Sequence, residues 1–298
     1  MNPLVPNVTD NVLTLSAHLN NPSRVTQLVA KRAGERLIAP TFFADGGSSV
    51  SGGGVLHSVM RPGDDFATRD PEHRAPGSEY VILTTDELKK MAAIDNVGGK
   101  IGITDEEIRR SETATIRNKI EKLSNSVVAA LDRITLAAVL SSLADNAVAP
   151  VPAAVAWDAL VLNGDPAEQT LNASKPTATF AAAQALADTD DLGVTYDTLV
   201  VGPVARAALA TAYAEQLGAM LESAGLTLKV TPYLTGSDAI LVQSGQVGTL
   251  YQEVPFAVEV IQDRTRGLTW YQAAVYPAVA VSNPFAARLV TGVTTTTP

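Results

Sequence analysis

The sequence predicts an α+β fold, and three stretches carry that prediction. The run from Thr104 to Asn146 contains neither Gly nor Pro, the stretch from about 152 to 248 alternates short strands with helices, and Phe256 to Gln262 faces Leu268 to Tyr276 across Arg264-Thr265-Arg266-Gly267. The first is one long helix, the second a mixed α/β unit, the third a hairpin.

Residues 1 to about 40 hold scattered apolar residues broken by Asn20-Asn21-Pro22, which reads as an arm with one short helix from Ser23. From Thr41 to about Tyr80 the composition changes to Gly46-Gly47-Ser48-Ser49, Ser51-Gly52-Gly53-Gly54 and a charged centre between strand-like Val55 to Met60 and Glu79 to Thr84. This is an extended two-stranded ribbon, and such a ribbon needs a surface to lie on. Its charges, Arg61, Asp64, Asp65, Arg69, Asp70, Glu72 and Arg74, are of both signs. That mixture points to salt bridges within the loop or across a subunit boundary rather than to a cation loop.

The long helix opens on Thr104-Asp105-Glu106-Glu107, a capping box with acids where the helix dipole favours them. At 100° per residue Ile116, Ile120, Leu123, Val127, Leu131 and Ile134 form one stripe, while Leu136, Val139, Leu140 and Leu143 fall on another side. The helix is too long for one compact core and reads as a spine shared by several substructures. After a Pro/Ala link at 147–152 come a helix around Phe180 to Asp188, a solvated turn at Asp188, Asp190 and Asp191, and a strand at Thr198 to Val201. Gly202-Pro203 then starts a helix running through an Ala-rich stretch to Ser223, followed by strands at Leu226 to Thr231 and Ala239 to Gln243. Trp157, Trp270, Tyr271 and Tyr276 are core or interface anchors.

The 298 residues are 46% hydrophobic and 18% charged, enough to bury a sizeable core, and the net charge of −9 without a Lys/Arg cluster argues against direct nucleic-acid binding. With no cysteine, thiol chemistry and disulfides are excluded. No run of eighteen consecutive apolar residues occurs, and no signal peptide opens the chain, so no membrane span is expected. Gly46 to Gly54 lacks the Gly-Lys-Ser/Thr of a phosphate loop. An enzyme, such as a small hydrolase, would have to use His57 or His73 with Asp64 or Asp70, in segments poorly suited to hold a general base. No cofactor or metal is expected.

Taken in order, the arm, the charged ribbon, Lys100-Ile101-Gly102-Ile103-Thr104-Asp105-Glu106, Ile116-Arg117-Asn118-Lys119-Ile120 through Ala130-Leu131-Asp132-Arg133, Tyr196 to Pro203 and Pro255 to Gly267 resemble the major capsid proteins of tailed bacteriophages, the Hong Kong ninety-seven-type shell family. The resemblance implies an N-terminal arm at 1–40, an extended loop at 41–82, a peripheral domain at 83–150 with the spine helix, an axial domain at 151–252 and a return to the peripheral domain at 253–298. It implies a homo-oligomer of pentamers and hexamers forming an icosahedral shell around packaged DNA, assembled in the host cytoplasm with scaffolding, portal and decoration proteins as partners. A cellular nanocompartment shell of encapsulin type is the alternative within that fold. Some members link a lysine of the extended loop to a neighbour's asparagine, but residues 41–82 contain no lysine, so this covalent link is not expected.

Overall fold

The computed structural model describes residues 37–47, 50, 52–64, 66–110 and 113–295, with backbone alone at 8–9, 12–13, 108–109 and 113–117. His18, the helix expected from Ser23, Asp65, the Ile116 side chain and the end of the Thr-rich tail lie outside the described residues. In chain order, β1 (Val8–Thr9) pairs with β2 (Val12–Leu13), and a single turn, α1 (Ala39–Phe42), leads into β3 (Phe43–Asp45). Then β4 (Gly54–Val59) pairs antiparallel with β5 (Leu88–Ala93), and β6 (Val97–Thr104) runs into α2 (Asp105–Arg109) and the long α3 (Thr113–Asp145).

Beyond the helix come β7 (Val151–Pro152), α4 (Pro176–Asp190), β8 (Thr198–Val201), α5 (Pro203–Tyr213), α6 (Leu217–Ser223), β9 (Thr227–Val230) and β10 (Ala239–Val242). The hairpin β11 (Gly248–Asp263) and β12 (Leu268–Val281) and a last strand, β13 (Ala287–Thr291), complete the set. Two main sheets result, a four-stranded one ordered β3-β11-β12-β6 and a five-stranded one ordered β7-β13-β10-β8-β9.

The capping box forms: the Thr104 amide donates to Glu107 Oε2 at 3.1 Å and the Glu107 amide donates to Thr104 Oγ1 at 3.2 Å. The helix it starts is nevertheless short. Lys119 Nζ reaches both Glu107 carboxylate oxygens at 2.6 and 2.8 Å, whereas twelve residues of continuous helix would hold the two about 18 Å apart. The chain therefore turns between α2 and α3, and the expected single run divides there. The Lys119 ammonium, ahead of the Thr104 amide, holds the Glu107 carboxyl below its ordinary range.

On α3, Ile120, Leu123, Val127 and Leu131 are buried as the stripe predicts, but Ile134 is only half-buried and Leu136, Val139 and Leu143 are buried in its place. Around the helix axis the buried side turns by about 150° between the first group and the second. The reason is a change of partner. The first half shares a core with Ile103, Val258, Tyr271, Ala273 and Val275 of the four-stranded sheet, the second with Phe42, Leu199, Ile240 and Val290 around the five-stranded one. By length and composition Asn118–Asp145 could cross a membrane; here its apolar sides face these two sheets.

Three further boundaries differ from the sequence division. The ribbon's return strand is Leu88–Ala93 rather than Glu79 to Thr84, because the root of the ribbon is anchored: the Met60 amide donates to the Ser282 carbonyl at 2.8 Å, and Ile94 bridges Ala278. The first residues of β11, placed with the α/β unit in sequence, pair with β3 and β12 in the four-stranded sheet. Conversely β13, expected to return with the hairpin, lies between β7 and β10. The hairpin keeps its predicted turn, Asp263 opposite Leu268, with register shifts on both sides of Val254 where Pro255 cannot donate to a ladder. Gly102 of β6 lies under the Trp270 ring, which a Cβ would approach to 3.0 Å, and Lys100 caps the ring at 4.9 Å.

Candidate functional site

The ribbon is built on β4 and β5. Strand alternation sends Val55, His57 and Val59 with their partners Ala92, Lys90 and Leu88 to one face, of which Val59 and Ala92 are buried. The other face presents the cross-strand pair Leu56 and Met91, both exposed, with Ser58 and Lys89 beside them. Lys89 and Lys90 thus belong to the folded ribbon, so its lack of lysine holds only for residues 41–82.

Beyond Met60 the chain runs out and back through residues 61–87 without regular structure. The two limbs are tied by Thr68, whose amide donates to the Thr84 carbonyl at 2.9 Å and whose hydroxyl lies 2.6 Å from that of Thr84. Of the predicted charges, Arg61 pairs with Asp64 and with Asp86, each at 3.3 Å, and Arg69 with Glu72 at 2.6 Å. Arg74 forms no ion pair among the described residues; it donates to the Ser78 carbonyl at 3.0 Å and stacks over the Tyr80 ring at 4.3 Å. Asp70 has no ion-pair partner among the described residues. Asp64, followed by Asp86, holds the Arg61 guanidinium above its ordinary range. The Arg61–Asp86 and Arg69–Glu72 pairs are exposed and worth little to the stability of a single subunit. Between them Phe66, Tyr80, Ile82 and Leu83 are exposed, Ile82 at 85%.

The described histidines lie on this ribbon without an acid partner: His57 in β4 with Nδ1 unbonded, His73 exposed in the outer limb. Among the described residues the ribbon brings no nucleophile, base and orienter into mutual reach. What it offers is an exposed surface on which charges of both signs lie among the apolar side chains of Phe66, Tyr80, Ile82 and Leu83.

Two buried polar sites escaped sequence reasoning. Arg288, 2% exposed on β13, donates from Nε to the Tyr196 hydroxyl at 3.0 Å, from one terminal nitrogen to the Ala149 carbonyl at 3.0 Å and from the other to Asp190 at 2.5 Å. Asp190, read in sequence as part of a solvated turn, is therefore an internal counter-ion. Its partner lies 98 residues away, a separation no local pattern reveals. Asp132, buried on α3, accepts the Ile38 amide at 2.9 Å and so holds the entry of α1 against the helix. Burial raises its pKa, opposed by the Ile38 and Ala39 amides.

A profile of the family described as phage capsid protein matches residues 87–290. The chain belongs to the phage capsid protein family. Solved structures agree in fold with this capsid protein. A virus-like particle from Pyrococcus furiosus superposes with a TM-score of 0.60 at 11% identity, covering 90% of this chain and 98% of the other. A phage-related protein from Bordetella bronchiseptica RB50 gives 0.59 at 15% identity, covering 91% and 97%. A protein of Mycobacterium phage Cain gives 0.59 at 12%, covering 88% and 91%. No curated protein matches this capsid protein by sequence. The fold is the Hong Kong ninety-seven-like shell fold, and the chain is a major capsid protein, a structural component of the virion.

Proposed function

We propose that this capsid protein assembles as pentamers and hexamers into a closed icosahedral shell around packaged DNA, and that it works through repeated contacts between copies rather than through an active site. The observation that carries the reading is the ribbon, which extends from the body with Phe66, Tyr80, Ile82 and Leu83 exposed among charges of both signs. On a neighbouring copy these apolar side chains leave water, and Arg61, Arg69 and Arg74 with Asp64, Asp65, Asp70 and Glu72 set the register. Assembly takes place in the host cytoplasm, with scaffolding, portal and decoration proteins as partners. The net charge of −9 suits a lumen that holds DNA without gripping its phosphates. The family match favours this phage shell over a cellular nanocompartment.

Negative-stain microscopy with sedimentation of the purified protein tests it. Closed particles or capsomer rings are the expected outcome. A discrete small oligomer that stays so when a scaffolding protein is supplied would overturn the shell reading.

A further inference from the structure

Pro203 to Ser223 reads in sequence as one helix, with proline at its start, alanine at seven positions and no glycine before Gly218. The chain breaks it. Strand-like excursions and prolines are absent, yet α5 stops at Tyr213, a 3₁₀ turn spans Ala214–Gln216, and α6 begins at Leu217. At the break Ala214 holds φ 47° and ψ −121°, the first central position of a type II′ turn, a conformation that belongs to glycine. Short 3₁₀ insertions within a helix mark hinges or strained sequence.

The surroundings repeat the conflict. The Tyr213 hydroxyl and Trp157 Nε1 are shut from solvent without a hydrogen-bond partner among the described residues. A cavity of about 370 Å³ lined by Trp157, Leu160, Ala208, Thr211 and Ala212 lies beside the last turns of α5. Backbone strain and two unpaired buried polar groups thus gather where local preference and fold disagree, and such conflict is selected against unless a second arrangement uses it.

We propose that residues 203–223 form a two-state element, kinked at Ala214 in the lone subunit and continuous when a neighbouring copy covers the apolar side of α6. Straightening withdraws Met220 and Leu221, both buried here, so the straight state needs another surface to receive them. That surface is a second copy, and to this extent the proposal rests on the shell reading. The element lets one chain occupy positions of different curvature, with the change confined to α6 and the face of the five-stranded-sheet core that Met220 and Leu221 leave.

The test uses the absence of cysteine: Arg206→Cys and Glu222→Cys, both exposed positions, carry spin labels at unique sites. A straight helix sets these sixteen residues about 24 Å apart along its axis, and a kink shortens that. A short distance in the unassembled subunit and an added population near about 24 Å in particles is the expected result; the same single short distance in both would overturn the proposal. Independently, Ala214→Gly removes the strain and should raise the melting temperature of the unassembled subunit by about 3 °C while altering the particle-size distribution. An unchanged or lower melting temperature, or particles identical to wild type, would also overturn it. Unlabelled wild-type protein that makes no particle counts against the shell reading alone.

Discussion

Arg288 carries its charge inside β13, and its three hydrogen-bond acceptors come from two distant parts of the chain, Ala149 after the long helix and Asp190 with Tyr196 between the end of α4 and β8. Replacing it by methionine fills the volume but leaves the Asp190 carboxylate without its cation. Arg288→Met should cost about 3 kcal/mol, read from the urea midpoint, and Asp190→Asn less, since an amide oxygen still accepts. Asp132 behaves differently because burial raises its pKa. Protonation is then favoured in the folded state, so its contribution is complete below the ordinary aspartate range and is lost as pH rises through the raised value. Asp132→Asn, which keeps an acceptor for the Ile38 amide, should match wild type in melting temperature near pH 3 and equal or exceed it at pH 7. A mutant that loses stability only at neutral pH would refute the assigned sign. Neither residue stands out in sequence: Arg288 follows Ala286-Ala287 and Asp132 precedes Arg133 like any solvated charge.

At the scale of elements the long helix shows how far periodicity reaches. Its stripe through Ile120, Leu123 and Val127 is legible because one sheet covers it; Ile134 departs because the covering sheet changes, and that depends on the distant β10 and β13. Leu123→Ala should cost about 2–5 kcal/mol in denaturant unfolding and Ile134→Ala less than half of that. Equal losses would refute the turn of the buried face. The ribbon gives a complementary contrast, since its ion pairs are exposed. Reversing Arg69 and Arg74 together to glutamate should leave helical circular dichroism and melting temperature of the subunit near wild type, while lowering particle yield in sedimentation at least several-fold. Normal yield would remove the contact role. Sequence places its return strand at Glu79 to Thr84 because Tyr80-Val81-Ile82-Leu83 is a continuous apolar, β-prone run, whereas Leu88 to Ala93 is interrupted by Lys89 and Lys90; the anchoring of Met60 and Ile94 on the body decides for the second.

For the whole molecule, fold class, the succession of ribbon, helix, α/β unit and hairpin, and the family resemblance are all carried by the sequence, because each rests on local composition or period. Sheet membership is not, since it depends on which strands meet. The positions of β11 and β13 are decided by pairings that join residues far apart, Phe43 with Gly248 and Val151 with Val290.

The place of β13 has a consequence for how the protein is made. A strand flanked on both sides in the five-stranded sheet, between β7 and β10, is translated after both of its neighbours, and it brings Arg288 with it. While the ribosome still holds residues 287–291, β7 and β10 have no mutual neighbour and the buried partners of Arg288 stay apart. The sheet closes only after the ribbon, the helix and the hairpin have all emerged. Such late, long-range closure is slow, and it delays a subunit fit to join others until its synthesis has passed Thr291.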